Sequence, residues 1–234
     1  MPRRSRRPVT SGVLRGYFWR RQEPDWAASF GLPVPDDSNY ERYVAAALDE
    51  GTTSNGVFGA KLFWAHLHDL LAHTAYFAGL AELPAHERFR AVFGPKVRAV
   101  WVRRDCLPAA ISLWRAEATG VWAERHDDLV RPAPDRLDAW RVTWLHAQLH
   151  AAEIGWPQFL GSADIPYLNV SYDEIANDTV GVVRDVAAFL EVDVPESALD
   201  HAPTLRRQAD AITERFVEQW IRETGGCATC QPPV

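Results

Sequence analysis

The sequence predicts an α/β fold: a mainly parallel sheet with helices on both faces. Three observations carry this expectation. Residues 97–102 and 165–170 are short apolar or β-branched runs, and 56–64 is a similar run with a glycine-softened start; each reads as a strand. Longer stretches with apolar residues at helical spacing lie between and around them. Strands that alternate with helices imply parallel pairing through crossover connections.

In order along the chain, residues 24–38 are rich in Pro and Asp and read as a loop or a short irregular helix. Residues 39–50 place Tyr40, Tyr43, Val44, Ala47 and Leu48 on one face, an amphipathic helix that Asp36, Asp37 or Ser38 would cap. A turn over 51–55 leads into the strand 56–64, and helices are expected at 66–80 and 85–93. The strand 97–102, read as buried, feeds a helix that extends to about Ala123, capped by Asp105, with Pro108 in its first turn. Residues 125–134 are a polar loop with Asp127 and Asp128. A long helix from about Arg136 to Leu160 follows, kinked or ended by Pro157. After the strand 165–170 come helices at 179–190 and 210–223, the last stopped by Gly225 and Gly226.

A chain of 234 residues is long enough for one domain with a sizeable core, and 47% apolar with 24% charged residues is ordinary for a globular protein. The expected division is a basic, disordered arm over 1–16, one domain over 17–225 and a tail over 226–234. The net charge of −6 disfavours nucleic acid and anionic membranes as partners. Seven Arg and no acid occur in residues 1–21, but no apolar segment follows to make an export signal, and no run spans a membrane. A cytoplasmic setting is therefore expected. Three cysteines do not make a disulfide framework. Cys227 and Cys230 lack the second ligand pair of a structural zinc site, the His residues form no ligand set, and no metal is expected. Neither a Gly-x-Ser-x-Gly elbow nor a phosphate-loop kinase motif is present.

The chemistry is concentrated after the strand 97–102. Arg103 and Arg104 end that strand, and Ser112 follows them by nine and eight residues. Guanidinium forks at a strand's carboxyl end, with a hydroxyl two turns up the next helix, suit a phosphate dianion. Carboxyl ends of strands are also where open α/β sheets bind ligands. By spacing alone the same residues could equally be a solvated Arg pair and a surface Ser.

Four blocks raise the reading above spacing: Ser11-Gly12-Val13 with Tyr17-Phe18-Trp19; Asn55 to Trp64; Arg103 to Ala116 with Val121-Trp122; and Leu205 to Asp210. In that order they resemble the bacterial trehalose 2-sulfotransferase family, whose members use PAPS (3′-phosphoadenosine 5′-phosphosulfate). The resemblance implies a three-layer, sulfotransferase-like sandwich of the phosphate-loop type and transfer of a sulfonate from PAPS to a carbohydrate hydroxyl. It makes Arg103, Arg104 and Ser112 the grip on the 3′-phosphate, with Arg207 and Gln208 closing over the nucleotide. Lys61 would meet the sulfonate or a sugar hydroxyl, or else stand on a strand's wet face. Trp64 would stack on a pyranose ring, or else pack in the core.

The family pattern also has an apolar first strand, an Arg-Ser-Gly-Ser-Thr loop, and a glutamate directly before the aromatic pair. These 234 residues contain no such loop, and Gly16 stands at the glutamate's place. The expectation is a fold whose N-terminal strand is missing, from a late gene start or a deletion, with Glu23 the nearest acid that could serve as base. The alternative is a non-catalytic remnant or mis-started product that at most binds nucleotide. The expected partner is a small sugar; the oligomeric state stays open, a homodimer included.

Overall fold

The computed structural model describes residues 17–18, 22–120, 134–199 and 211–226. The chain divides into two compact units, residues 1–97 and 98–234. The first unit is helical among its described residues: α1 (Glu23–Phe30), α2 (Tyr40–Gly51), α3 (Trp64–Thr74) and α4 (Ala85–Phe93). Its core is aromatic. Tyr17, Phe18, Tyr40, Tyr43 and Phe77 are buried with Val44 and Leu70, and ring pairs such as Tyr17–Phe58 at 5.8 Å set the packing. The amphipathic face expected of α2 is the face that is buried. Arg88 of α4 donates to the Leu71 and Leu83 carbonyls at 3.1 and 2.6 Å, satisfying acceptors at and beyond the end of α3.

Residues 56–64 are not a strand. Phe58 makes an isolated antiparallel bridge to Thr52, residues 61–63 have no regular structure, with Phe63 extended, and Trp64 begins α3. The glycine that softened the pattern sits at φ +82°. It closes a turn in which Thr53 binds the Val57 N–H and carbonyl, and among the described residues the segment joins no ladder beyond the Thr52–Phe58 bridge. The helix foreseen at 66–80 starts earlier and ends at Thr74, followed by turns. None of Asp36, Asp37 and Ser38 caps α2: Asn39 is the N-cap, and Asp36 instead accepts from the Ser38 N–H and hydroxyl.

The second unit holds β1 (Ala99–Arg103), α5 (Cys106–Thr119), α6 (Ala139–Ser162), β2 (Tyr167–Ser171), α7 (Tyr172–Asn177), α8 (Thr179–Leu190), α9 (Glu196–Leu199) and α10 (Ala211–Thr224). Among the described residues the sheet has two strands, β1 and β2, paired in parallel with Arg103 opposite Ser171. The mixed α/β class is as expected, with more helix and less sheet than the sequence pattern suggested. β1 is half-buried rather than buried, and Val102 is 54% exposed. The Ala99 N–H bonds the Pro166 carbonyl, so the proline that limits β2 still accepts one ladder bond.

Leu107, Ile111, Trp114, Val142, Leu145, Phe216 and Trp220 form the core between α5, α6 and α10. Polar pins cross it: Arg115, fully buried, donates to Thr213 Oγ1 at 2.9 Å, and Trp220 Nε1 donates to Thr143 Oγ1 at 2.9 Å. Helix α5 ends at Thr119 with Gly120 left-handed, earlier than the Ala123 expected. Pro157 does not end α6, which continues to Ser162. A proline removes a single i→i−4 bond, here the one to the Glu153 carbonyl, and packing on both sides carries the helix through. No helix of the described residues is long and apolar enough to cross a membrane.

Candidate functional site

The turn from β1 to α5 is built by its sequence. The run Ala99–Val102 favours extended backbone, and Asp105 stops it by accepting the Leu107 N–H at 3.3 Å. Pro108 lies within the first turn of α5, where its missing N–H takes nothing from the helix. Arg103 and Arg104 are thereby fixed at the carboxyl end of a parallel strand, just before the capped N-terminus of α5.

The two arginines differ in their surroundings. Arg103 donates through Nε to Glu153 Oε2 of α6 at 2.7 Å, and its guanidinium lies 4.9 Å from the Trp101 ring centre. Arg104 lies 4.5 Å over the ring of Tyr172, the first residue of α7. It faces no carboxylate within ion-pairing distance among the described residues. A half-buried guanidinium on an aromatic face, with no described carboxylate beside it, is suited to receive an anion. Ser112 is half-buried on α5, seven residues beyond the cap, or about 10 Å up the axis.

The end of β2 completes this edge. Ser171 pairs in register with Arg103 and caps α7 in a reciprocal capping box with Glu174. The Ser171 N–H and hydroxyl hold the Glu174 carboxyl below its usual range. Sequence reasoning missed Glu153, Ser171 and Tyr172. The capping box was legible as Ser-x-x-Glu, and Tyr172 as an aromatic just past a strand. Glu153 gave no local signal, because it reaches Arg103 across 50 residues.

The remaining expected residues fall elsewhere. In the first unit Lys61 is exposed with Nζ 4.7 Å from the Phe63 ring centre. It stands in the lead into α3 and not on a strand. Trp64 opens α3, half-buried, with its ring edge-on to His68 at 4.8 Å. Glu23 is only 6% exposed and accepts the Tyr40 hydroxyl at 2.7 Å. Burial, and then that hydrogen bond, push the Tyr40 hydroxyl far above its ordinary value. Arg207 and Gln208 lie outside the described residues, as do Cys227, Cys230, Asp127 and Asp128. No group of three or more His, Cys, Asp or Glu among the described residues could hold a metal.

An Arg pair at the carboxyl end of a parallel strand, with a capped helix after it and a hydroxyl two turns along, is an arrangement suited to an anion on an α/β frame. The chain belongs to the Stf0 sulphotransferase family, whose model matches residues 9–223. It is 29% identical over 174 residues to the trehalose 2-sulfotransferase of Mycolicibacterium smegmatis, covering 74% of this chain and 64% of the relative. It is 28% identical over 191 residues to the trehalose 2-sulfotransferase of Mycobacterium tuberculosis, covering 81% of this chain and 70% of that relative. The match thus spans about two thirds of the length of these relatives.

Proposed function

We propose that this chain is a sulfotransferase that moves a sulfonate from PAPS to a carbohydrate hydroxyl, with trehalose the first acceptor to test. Arg104 is the observation that carries the reading: a half-buried guanidinium on Tyr172, at a strand's carboxyl end, with no described carboxylate to neutralise it. A 3′-phosphate fits it by charge and by its planar fork. Arg103 and Ser112 supply further donors in the same segment, and Arg207 and Gln208 are the proposed residues that close over the nucleotide. In the reaction the sugar oxygen bonds to sulfur as the sulfur–oxygen bond to the 5′-phosphate breaks. The hydroxyl proton passes to a base, and PAP (3′-phosphoadenosine 5′-phosphate) leaves. Cations near the sulfonate, with Lys61 the candidate, would stabilise the charge that develops. Trp64 is the candidate sugar platform. Glu23 is the candidate base by sequence position; its burial against Tyr40 equally suits a packing role.

Calorimetry with PAP and 5′-AMP tests the grip. PAP should bind more tightly than 5′-AMP. Arg104→Ala should cost PAP roughly 10- to 150-fold, the equivalent of one hydrogen bond to a charged group at about 1.5–3 kcal/mol. Equal binding of the two nucleotides, or a variant that binds PAP as the parent does, removes Arg104 from the site. Incubation with labelled PAPS and trehalose then tests transfer: labelled sugar supports it, and PAP binding without labelled sugar leaves a nucleotide-binding protein.

A further inference from the structure

Two Arg–Glu pairs of the second unit are built differently. Arg141 gives both Nε and Nη2 to Glu117, at 2.9 and 2.8 Å, so its fork is closed on a carboxylate. Arg103 gives only Nε to Glu153, at 2.7 Å, with its guanidinium carbon 4.9 Å from the Trp101 ring centre. Its two terminal nitrogens meet no acceptor among the described residues. Glu153 is the more enclosed partner, its side chain 14% exposed against 36% for Arg103. It therefore serves as the fixed end of the pair.

A guanidinium held at Nε over a ring is restrained in orientation while its outer edge stays available. That edge is the one that grips phosphate in a bidentate way. The Glu153 charge has a second effect. It offsets the charge of Arg103, whereas Arg104 meets no carboxylate at ion-pairing distance among the described residues.

We propose that Glu153 is a positioning residue for anion binding: it orients Arg103 for a phosphate dianion through Nε and lowers the affinity of the site through its charge. The proposal rests on the reading of Arg103 and Arg104 as a phosphate grip. It makes Glu153 a determinant of how readily a phosphorylated product leaves.

The two effects separate by substitution. Glu153→Gln keeps an oxygen acceptor for Nε and removes the charge; Glu153→Ala removes both. By the distance dependence of charge interactions near a protein surface, Glu153→Gln should tighten phosphate binding about threefold to tenfold, with the gain shrinking at high salt. Glu153→Ala should bind at least about threefold more weakly than Glu153→Gln, because Arg103 loses its orientation. In an Arg103→Ala background the difference between the Gln and Ala variants should vanish. Isothermal titration of the full chain with PAP, 5′-AMP and inorganic phosphate reads all three, with near-UV circular dichroism to confirm the fold of each variant.

A Gln–Ala difference that persists without Arg103, or a Glu153→Gln variant that binds phosphate less tightly than the parent, overturns the proposal. If PAP and 5′-AMP bind alike but inorganic phosphate still shows the Arg103-dependent difference, the nucleotide reading fails and the role of Glu153 stands. No binding of any of the three by the parent chain overturns both.

Discussion

Asp105 is where the stability of the second unit and the placement of the arginines meet, so its substitution is the most informative single change. Its carboxylate caps α5 through the Leu107 N–H and sits in the field of that helix's N-terminus. Asp105→Ala removes the cap, at about 1 kcal/mol within a range of roughly 0.5–2. It also removes a favourable charge–dipole contact of about 0.3–1 kcal/mol. The sum is about 1.5 kcal/mol, which lowers the melting temperature by roughly 3–6 °C in a chain of this size. Asp105→Asn keeps an equally good cap and loses only the charge, so it should cost less, about 0.3–1 kcal/mol. Urea unfolding followed by circular dichroism gives both values, and unchanged denaturant slopes confirm that native and unfolded states are comparable. PAP affinity in Asp105→Ala should fall as well, because the turn that carries Arg103 and Arg104 loses its stop. If the Asn variant is the less stable of the two, or Asp105→Ala is as stable as the parent, the cap does not organise this turn.

Three other expectations concern the cores. Phe216→Ala should destabilise by about 3–5 kcal/mol, since the ring is 1% exposed and packs edge-on to Trp114 at 5.2 Å; thermal unfolding checks it, and a loss under 1 kcal/mol would show that the α5–α10 contact collapses without strain. Tyr40→Phe withdraws a hydroxyl from the buried Glu23 carboxyl and should cost about 2 kcal/mol, read as a lower urea midpoint. Burial first, and then the neighbouring His150, hold His146 below its ordinary value of 6.5, while Asp105 opposes them. Its protonation therefore favours the unfolded chain, so its contribution to stability is lost as pH falls from about 7 through 6.5 and below. His146→Gln should flatten that part of the stability–pH curve, and an unaltered slope between pH 7 and 5.5 would discount the effect.

Much of the architecture was legible because its causes are local. The helices 85–93 and 179–190 coincide with α4 and α8, because amphipathic period and flanking stop residues act within a few turns. The stop after Arg103, the Asp105 cap and the place of Pro108 follow from neighbouring residues alone. The family, too, is carried by strings of adjacent residues. Tertiary structure decided whatever depends on what lies opposite a segment. Residues 56–64 have the composition of a strand, yet a ladder needs a partner in register, and among the described residues only Phe58 has one, at Thr52, across a Thr53-bound turn. Pro157 reads as a kink or an end of its helix, and α6 runs on through it to Ser162 despite the single bond it removes. The parallel pairing of β1 with β2 sets Arg103 against Ser171 and brings Tyr172 beneath Arg104, and α6 delivers Glu153 to Nε of Arg103. The residue types at the strand end were written in one local stretch. Their charge balance was not, because the Glu153 counter-ion and the Tyr172 ring arrive from segments 50 and more residues away, and only folding determines which arginine is paired with a carboxylate.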